Sequence, residues 1–120
     1  VTGMSLSALA ASPAQILSQL QAEAGDNGSA ERGKTLFLEK FSGTKVESCA
    51  ACHTPNPKAS GRHVRTHKTI EPLAPSANPQ RFTDMAKVEK WFKRNCNEVL
   101  SRACTPREKV DFVAYMLSEK

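Results

Sequence analysis

Aromatic side chains are scarce in this chain: one Trp, one Tyr and five Phe among 120 residues. With an apolar share of 39%, that is a thin supply for a hydrophobic core, and a single domain is expected at this length. Nowhere do about 18 apolar residues run together, so no segment has the length and character of a membrane-spanning helix. Strand-type alternation is missing as well. Acidic residues are outnumbered, 12 against 17 Lys and Arg, for a formal charge of +5. The cations are scattered and lack interleaved aromatics, which gives a nucleic-acid role little support. The net charge favours acidic partner surfaces.

What the chain does have is concentrated in five residues, Cys49-Ala50-Ala51-Cys52-His53. Read as C-x-x-C-H, they form the attachment signal for a c-type haem. Two thiols three positions apart share one turn of helix, so each can form a thioether to one porphyrin vinyl group. His53 follows at once, where its imidazole can bind iron from beneath the ring. Two other readings fit less well. Half a zinc site needs a second pair of ligands, and Cys96 and Cys104, eight apart, do not have the spacing of a zinc knuckle. A thioredoxin-type redox pair needs a strand–helix–strand context that is missing here. With two propionates (about −2) and a ferric centre (about +1), the holoprotein would carry a charge near +4. The haem would also add a large apolar plate to a sparse core.

Read in order, the chain opens on Val1–Ala11, whose Ser7-Ala8-Leu9-Ala10-Ala11 ending resembles the small-residue end of a secretory signal. It is expected to be a disordered arm, or a leftover of signal processing or cloning, with residues 12–120 as the domain. Ser12-Pro13 starts a helix with Pro at its first position, Ile16, Leu17 and Leu20 recur at helical spacing, and Gly25-Asp26-Asn27-Gly28 ends it. A second helix starts at Ser29, with Ala30, Gly33 and Phe37 on one face. Gly33 lets another helix come close. Phe41 to Ser48 reads as a polar loop, and Pro55 and Pro57 stop the short helical turn of the haem motif. From Thr54 to Pro79 no periodicity emerges. A loop of that length usually has a task, and wrapping a haem edge would be one. Arg62, His63, Arg65, His67 and Lys68 lie in it, as propionate or axial ligands or as a solvated basic loop. Thr83 is a plausible cap for a third helix, with Asp84 at its positive end. Val88, Trp91 and Asn95 share its apolar stripe. Thr105-Pro106-Arg107-Glu108 is a capping box opening the last helix, whose buried face is Val110, Val113, Ala114 and Leu117, flanked by Phe112 and Tyr115. It is expected to pack across the second helix at Gly33 and Phe37. The fold class is all-α: a small monohaem cytochrome c, class I-like, with four to five helices around covalent haem c.

The second axial position decides between electron carrier and gas binder. Small cytochromes c commonly take a Met from a loop well after the motif, and Met85 is the only Met in that region, at a helix start. His63 and His67 stand close behind His53. Asn95 is the fourth candidate; an Asn near a helix end is usually a cap or a hydrogen bonder, but on an apolar stripe a buried amide needs a partner.

Here the chain resembles the SHP-type (sphaeroides haem protein) oxygen-binding cytochromes c, and their relative cytochrome c-double-prime, from about Ser12 to Leu117. The likeness is carried by Ala30-Glu31-Arg32-Gly33, the haem motif, Pro72-Leu73-Ala74-Pro75-Ser76, Arg81-Phe82-Thr83-Asp84, Val88-Glu89-Lys90-Trp91, Arg94-Asn95-Cys96-Asn97 and Cys104-Thr105-Pro106 with Glu108-Lys109. The resemblance implies that Cys49 and Cys52 hold the haem, that His53 is the proximal iron ligand, and that Asn95 binds ferric iron distally and leaves on reduction. The double-prime relative has His at that position, so this chain sides with the oxygen-binding branch. It further implies a Cys96–Cys104 disulfide beside the ligand, O2, NO or CO as ligands, and redox partners of the multihaem cytochrome c and membrane cytochrome b kinds. An even pair of cysteines left after haem attachment suits an oxidising compartment, so a periplasmic monomer is expected. A plain electron shuttle, or a small oxidase or reductase of oxygen or nitrogen oxides, are the other functions this pattern allows.

Overall fold

The computed structural model describes residues 11–120, so ten residues of the N-terminal arm lie outside the described residues. Ala11, the arm's last member, is tied to Thr83 by a 2.7 Å main-chain hydrogen bond. Five helices follow: α1 (Pro13–Ala24), α2 (Ala30–Leu38), α3 (Cys49–His53), α4 (Met85–Leu100) and α5 (Pro106–Ser118). This is the all-α architecture the periodicity predicts. The one departure is a two-residue antiparallel hairpin in the proline-rich loop, β1 (Gly61–Arg62) with β2 (Thr69–Ile70), pairing Gly61 with Ile70 and Arg62 with Thr69. Strands so short carry no legible alternation.

Local signals set most helix ends. Ser12 and Thr105 each close a capping box with Gln15 and Glu108, with Pro next in line, and Gly25 ends α1 in the left-handed region at φ 61°. The start of α4 differs by one residue from the sequence expectation. Asp84 is its cap, accepting from the Ala86 and Lys87 amides, while Thr83 donates its hydroxyl to the Gln80 carbonyl. A carboxylate outcompetes a hydroxyl there because it also meets the positive end of the helix dipole.

Helices α2 and α5 cross in direct backbone contact. A Cβ on Gly33 would collide with the Asp111 carbonyl and sit 2.8 Å from the Tyr115 Cβ. Beside the crossing, Phe37, Leu73, Tyr115 and Met116 form one buried cluster, and Ile16, Leu20, Val88, Val110 and Val113 form a second. Phe82, Phe112 and Leu117 touch both. The buried face of α5 is therefore broader than expected. Asp111, Tyr115 and Met116 are buried, whereas Ala114 and Leu117 are only partly so. The buried Asp111 carboxylate is fully used: it accepts from the Ser29 amide at 2.8 Å and from Arg32 Nε and Nη2 at 2.9 Å. A buried carboxylate is tolerable only with such partners. Trp91, expected on the apolar stripe of α4, lies at its edge, 42% exposed, with Lys90 and Arg94 cations over its ring.

Replacing Gly33 with Ala forces α2 and α5 apart. We expect a loss of about 1–3 kcal/mol of stability, read by denaturant unfolding, whereas Lys34→Ala on the exposed side of α2 stays within about 0.5 kcal/mol.

Candidate functional site

The five motif residues form α3 itself. Ser48, buried, caps it by accepting from the Ala51 amide at 3.0 Å. Thr54 ends it with φ 64°, ahead of Pro55 and Pro57. Helical spacing puts Cys49 and Cys52 one turn apart, on adjacent positions of one face. Both are free thiols, while Cys96 and Cys104 are joined as a disulfide. Burial pushes the Cys49 thiol up to about 11. Burial raises Cys52 too, against a hydrogen bond from the Val64 amide.

His53 lies against Phe37, with ring centroids 6.3 Å apart. Burial, with Arg81 and His63 nearby, lowers its pKa to about 4. The imidazole is therefore neutral at pH 7, the form that binds a metal. Among the described residues no group of three or more His, Cys, Asp or Glu side chains gathers to hold a bare metal ion. Two unpaired thiols on one turn beside a neutral, half-buried imidazole are the donor set that a covalent haem requires, so the residues fit that group.

The proline-rich segment is fixed rather than loose. The Pro57 carbonyl accepts from the Leu73 and Ala74 amides at 3.0 Å each. Arg81 donates Nε to the Pro72 carbonyl and Nη2 to the Glu71 carbonyl, both at 2.9 Å. β1 passes directly over α3. A Cβ on Gly61 would strike the Cys52 carbonyl and sit 2.8 Å from the His53 Cα, so only Gly allows that approach.

The end of α4 also packs on α3. Val46, Cys52 and Val99 form a buried cluster with Cys49, Ile70 and Leu100 against it. The Val46 amide donates to the Glu98 carbonyl at 3.0 Å. Asn95 stands one helical turn before Val99 and on the same face as Val88. It is half-buried, and its carboxamide has no hydrogen-bond partner among the described residues.

The other three candidates for the second axial position have different surroundings. Met85 packs against the cluster of Ile16, Leu20 and Val88. His63 has both ring nitrogens engaged: Nδ1 accepts from the Arg65 and Thr66 amides at 3.1 and 3.2 Å, and Nε2 faces the Glu98 carboxylate at 3.3–3.4 Å. His67 is exposed in the hairpin turn. Glu98 and Gly61 are parts of this site that motif reading missed. Gly61 carries a signal, as a lone Gly in a loop next to the motif; the Glu98 contact spans 35 positions and carries none.

Comparison with known proteins adds one family, one relative by sequence and two solved structures. A family described as a domain of unknown function, DUF1924, matches residues 23–116. The chain is 49% identical over 110 residues to the cytochrome c-type protein SHP of Cereibacter sphaeroides, over 90% of this chain and 84% of that protein. It is similar to the structure of oxidised SHP, an oxygen-binding cytochrome c, with a TM-score of 0.84 and 48% identity over 90% of this chain and 97% of that one. It is also similar to the solution structure of Methylophilus methylotrophus cytochrome c'', described with insights into haem-ligand detachment. That TM-score is 0.76, at 38% identity over 89% of this chain and 93% of that one.

The arrangement of sulfurs is open to a direct count. Alkylation of the denatured, haem-free chain without reductant should label Cys49 and Cys52 only, and prior reduction should add Cys96 and Cys104, each read by peptide mass.

Proposed function

The chain belongs to the SHP family of c-type cytochromes, and from that premise we propose that it is a monohaem cytochrome c whose distal ligand Asn95 detaches on reduction and admits O2, NO or CO. Cys49 and Cys52 would hold the haem and His53 would bind its iron. The bound haem supplies a one-electron redox centre with one exchangeable coordination position.

The observation that carries this reading is the contrast between the two sides. His53 is half-buried against Phe37, on a helix pinned by Ser48 and covered by Gly61. Asn95 presents an uncharged carboxamide without an internal partner among the described residues. An amide oxygen is a hard, neutral, weak donor and suits ferric iron better than the softer ferrous ion. If displaced, its N–H groups would be donors available to a diatomic ligand at the same position. SHP is described as oxygen-binding and cytochrome c'' in terms of haem-ligand detachment; both support carrying the reading to this chain.

The Cys96–Cys104 disulfide adjoins Asn95 and, by the chain-entropy model, contributes about 2.6 kcal/mol for a loop of this length. It supports a periplasmic location, since such bonds persist in oxidising compartments. Phe82 and Phe112 link the first two clusters and Cys49 links the second to the third, which supports residues 12–120 as one domain. A multihaem cytochrome c and a membrane cytochrome b are the proposed redox partners.

Optical spectra of ferric, ferrous and CO-exposed ferrous protein test the proposal. The ferrous form should bind CO readily, and Asn95→Ala should change the ferric spectrum far more than the ferrous one. A ferrous protein indifferent to CO, with a methionine-sulfur charge-transfer band in the ferric state, would make it a plain electron carrier.

Asn95 needs no proton to stay detached, unlike His. The midpoint of detachment should therefore hold steady from pH 5 to 8, across the imidazole range near 6.5, in redox titrations followed optically. A midpoint tracking that range would point to a histidine ligand.

A further inference from the structure

The last turn of α4, one turn beyond Asn95, is fastened to the haem-attachment side of the protein by a polar contact that the proposed function does not use. His63 sits in the hairpin turn that covers α3. Its main-chain amide donates to the Lys68 carbonyl, and its carbonyl accepts from the His67 amide, both at 2.9 Å. Its Nδ1 accepts two amide protons, from Arg65 and Thr66. A nitrogen that accepts carries no proton, so the ring proton is on Nε2. That N–H points between the two Glu98 oxygens, at 3.3 and 3.4 Å. Both side chains are largely covered, 19% and 23% exposed, which shields the contact from solvent. Glu98 is held a second time, through its carbonyl, by the Val46 amide. A continuous path runs from Cys52 through Gly61 and the hairpin to His63, then Glu98, then three residues back along α4 to Asn95.

Resting on the proposed role of Asn95, we propose that His63 and Glu98 are positioning residues that hold the end of α4 at the height from which Asn95 reaches ferric iron. Neither touches the reacting atoms. Their effect is on the ferric state alone, because the ferrous state has no Asn95 bond to position. Loosening the contact weakens ferric ligation, and any selective loss of ferric ligation raises the reduction potential.

The test is the midpoint potential of the holoprotein with its ferric spectrum. Glu98→Ala should weaken Asn95 ligation threefold to tenfold. Tenfold corresponds to a rise of 59 mV for one electron, and the ferric spectrum should move toward that of Asn95→Ala. Glu98→Gln removes the same charge but keeps an acceptor for the Nε2 proton; it should retain the parent ferric spectrum, which separates geometry from charge. His63→Ala should act in the same direction as Glu98→Ala, and the double variant should go no further. In an Asn95→Ala background, Glu98→Ala should move the potential no more than Glu98→Gln does. An equal shift with and without Asn95 would overturn the inference while leaving the ligand assignment intact. An Asn95→Ala variant with the parent's ferric spectrum and potential would instead remove the ligand assignment and the inference with it. If Glu98→Ala does not fold, His63→Ala and Glu98→Gln decide the matter by the same two readouts.

Discussion

At Gly33 two helices lie so close that no side chain fits between them, and the rest of the haem-facing architecture is set from that contact. The Asp111 carbonyl and Tyr115 Cβ occupy the space a Cβ would need. One turn further along α2, Phe37 is fully buried between Tyr115 and Phe112. Its ring is also the wall beside His53. The close approach thus reaches the candidate ligand through a single aromatic side chain. It is reinforced by a carboxylate from α5 that ties together the start of α2: Asp111 binds Arg32 and the Ser29 amide, and Arg32 reaches on to Asp26. Removing water from a carboxylate costs free energy, but three donors return much of it and fix the rotation of α5 relative to α2.

Much of this was readable one residue at a time. The haem motif, both capping boxes, the Gly25 stop and the Gly33–Phe37 face are local patterns, and local patterns follow from the chemistry of four or five neighbouring residues. Errors arose where two local options competed or where the deciding partner was distant. Thr83 reads as the cap of α4, but its hydroxyl goes to the Gln80 carbonyl and the Asp84 carboxylate caps the helix instead. Asp111 would be assigned to solvent on charge alone; its burial depends on Arg32, 79 positions away. The proline-rich segment has no period because main-chain bonds to Pro57 and side-chain donors from Arg81 hold it, rather than a regular ladder. Asn95 was legible as an oddity on its stripe, but its meaning came from resemblance and not from spacing.

The proposed detachment of Asn95 demands a support that does not depend on that ligand. Helix α4 meets this demand at both ends. Val88, near its start, is 8% exposed in the cluster of α1 and α5, and Val99, near its end, is 5% exposed beside Cys52. Burying each valine contributes about 1.5–3 kcal/mol, and the disulfide adds a covalent tie one residue beyond Asn95. Asn95 lies between these anchors and contributes to neither. In the proposed function, breaking its bond therefore changes the occupant of one coordination position without loosening the helix.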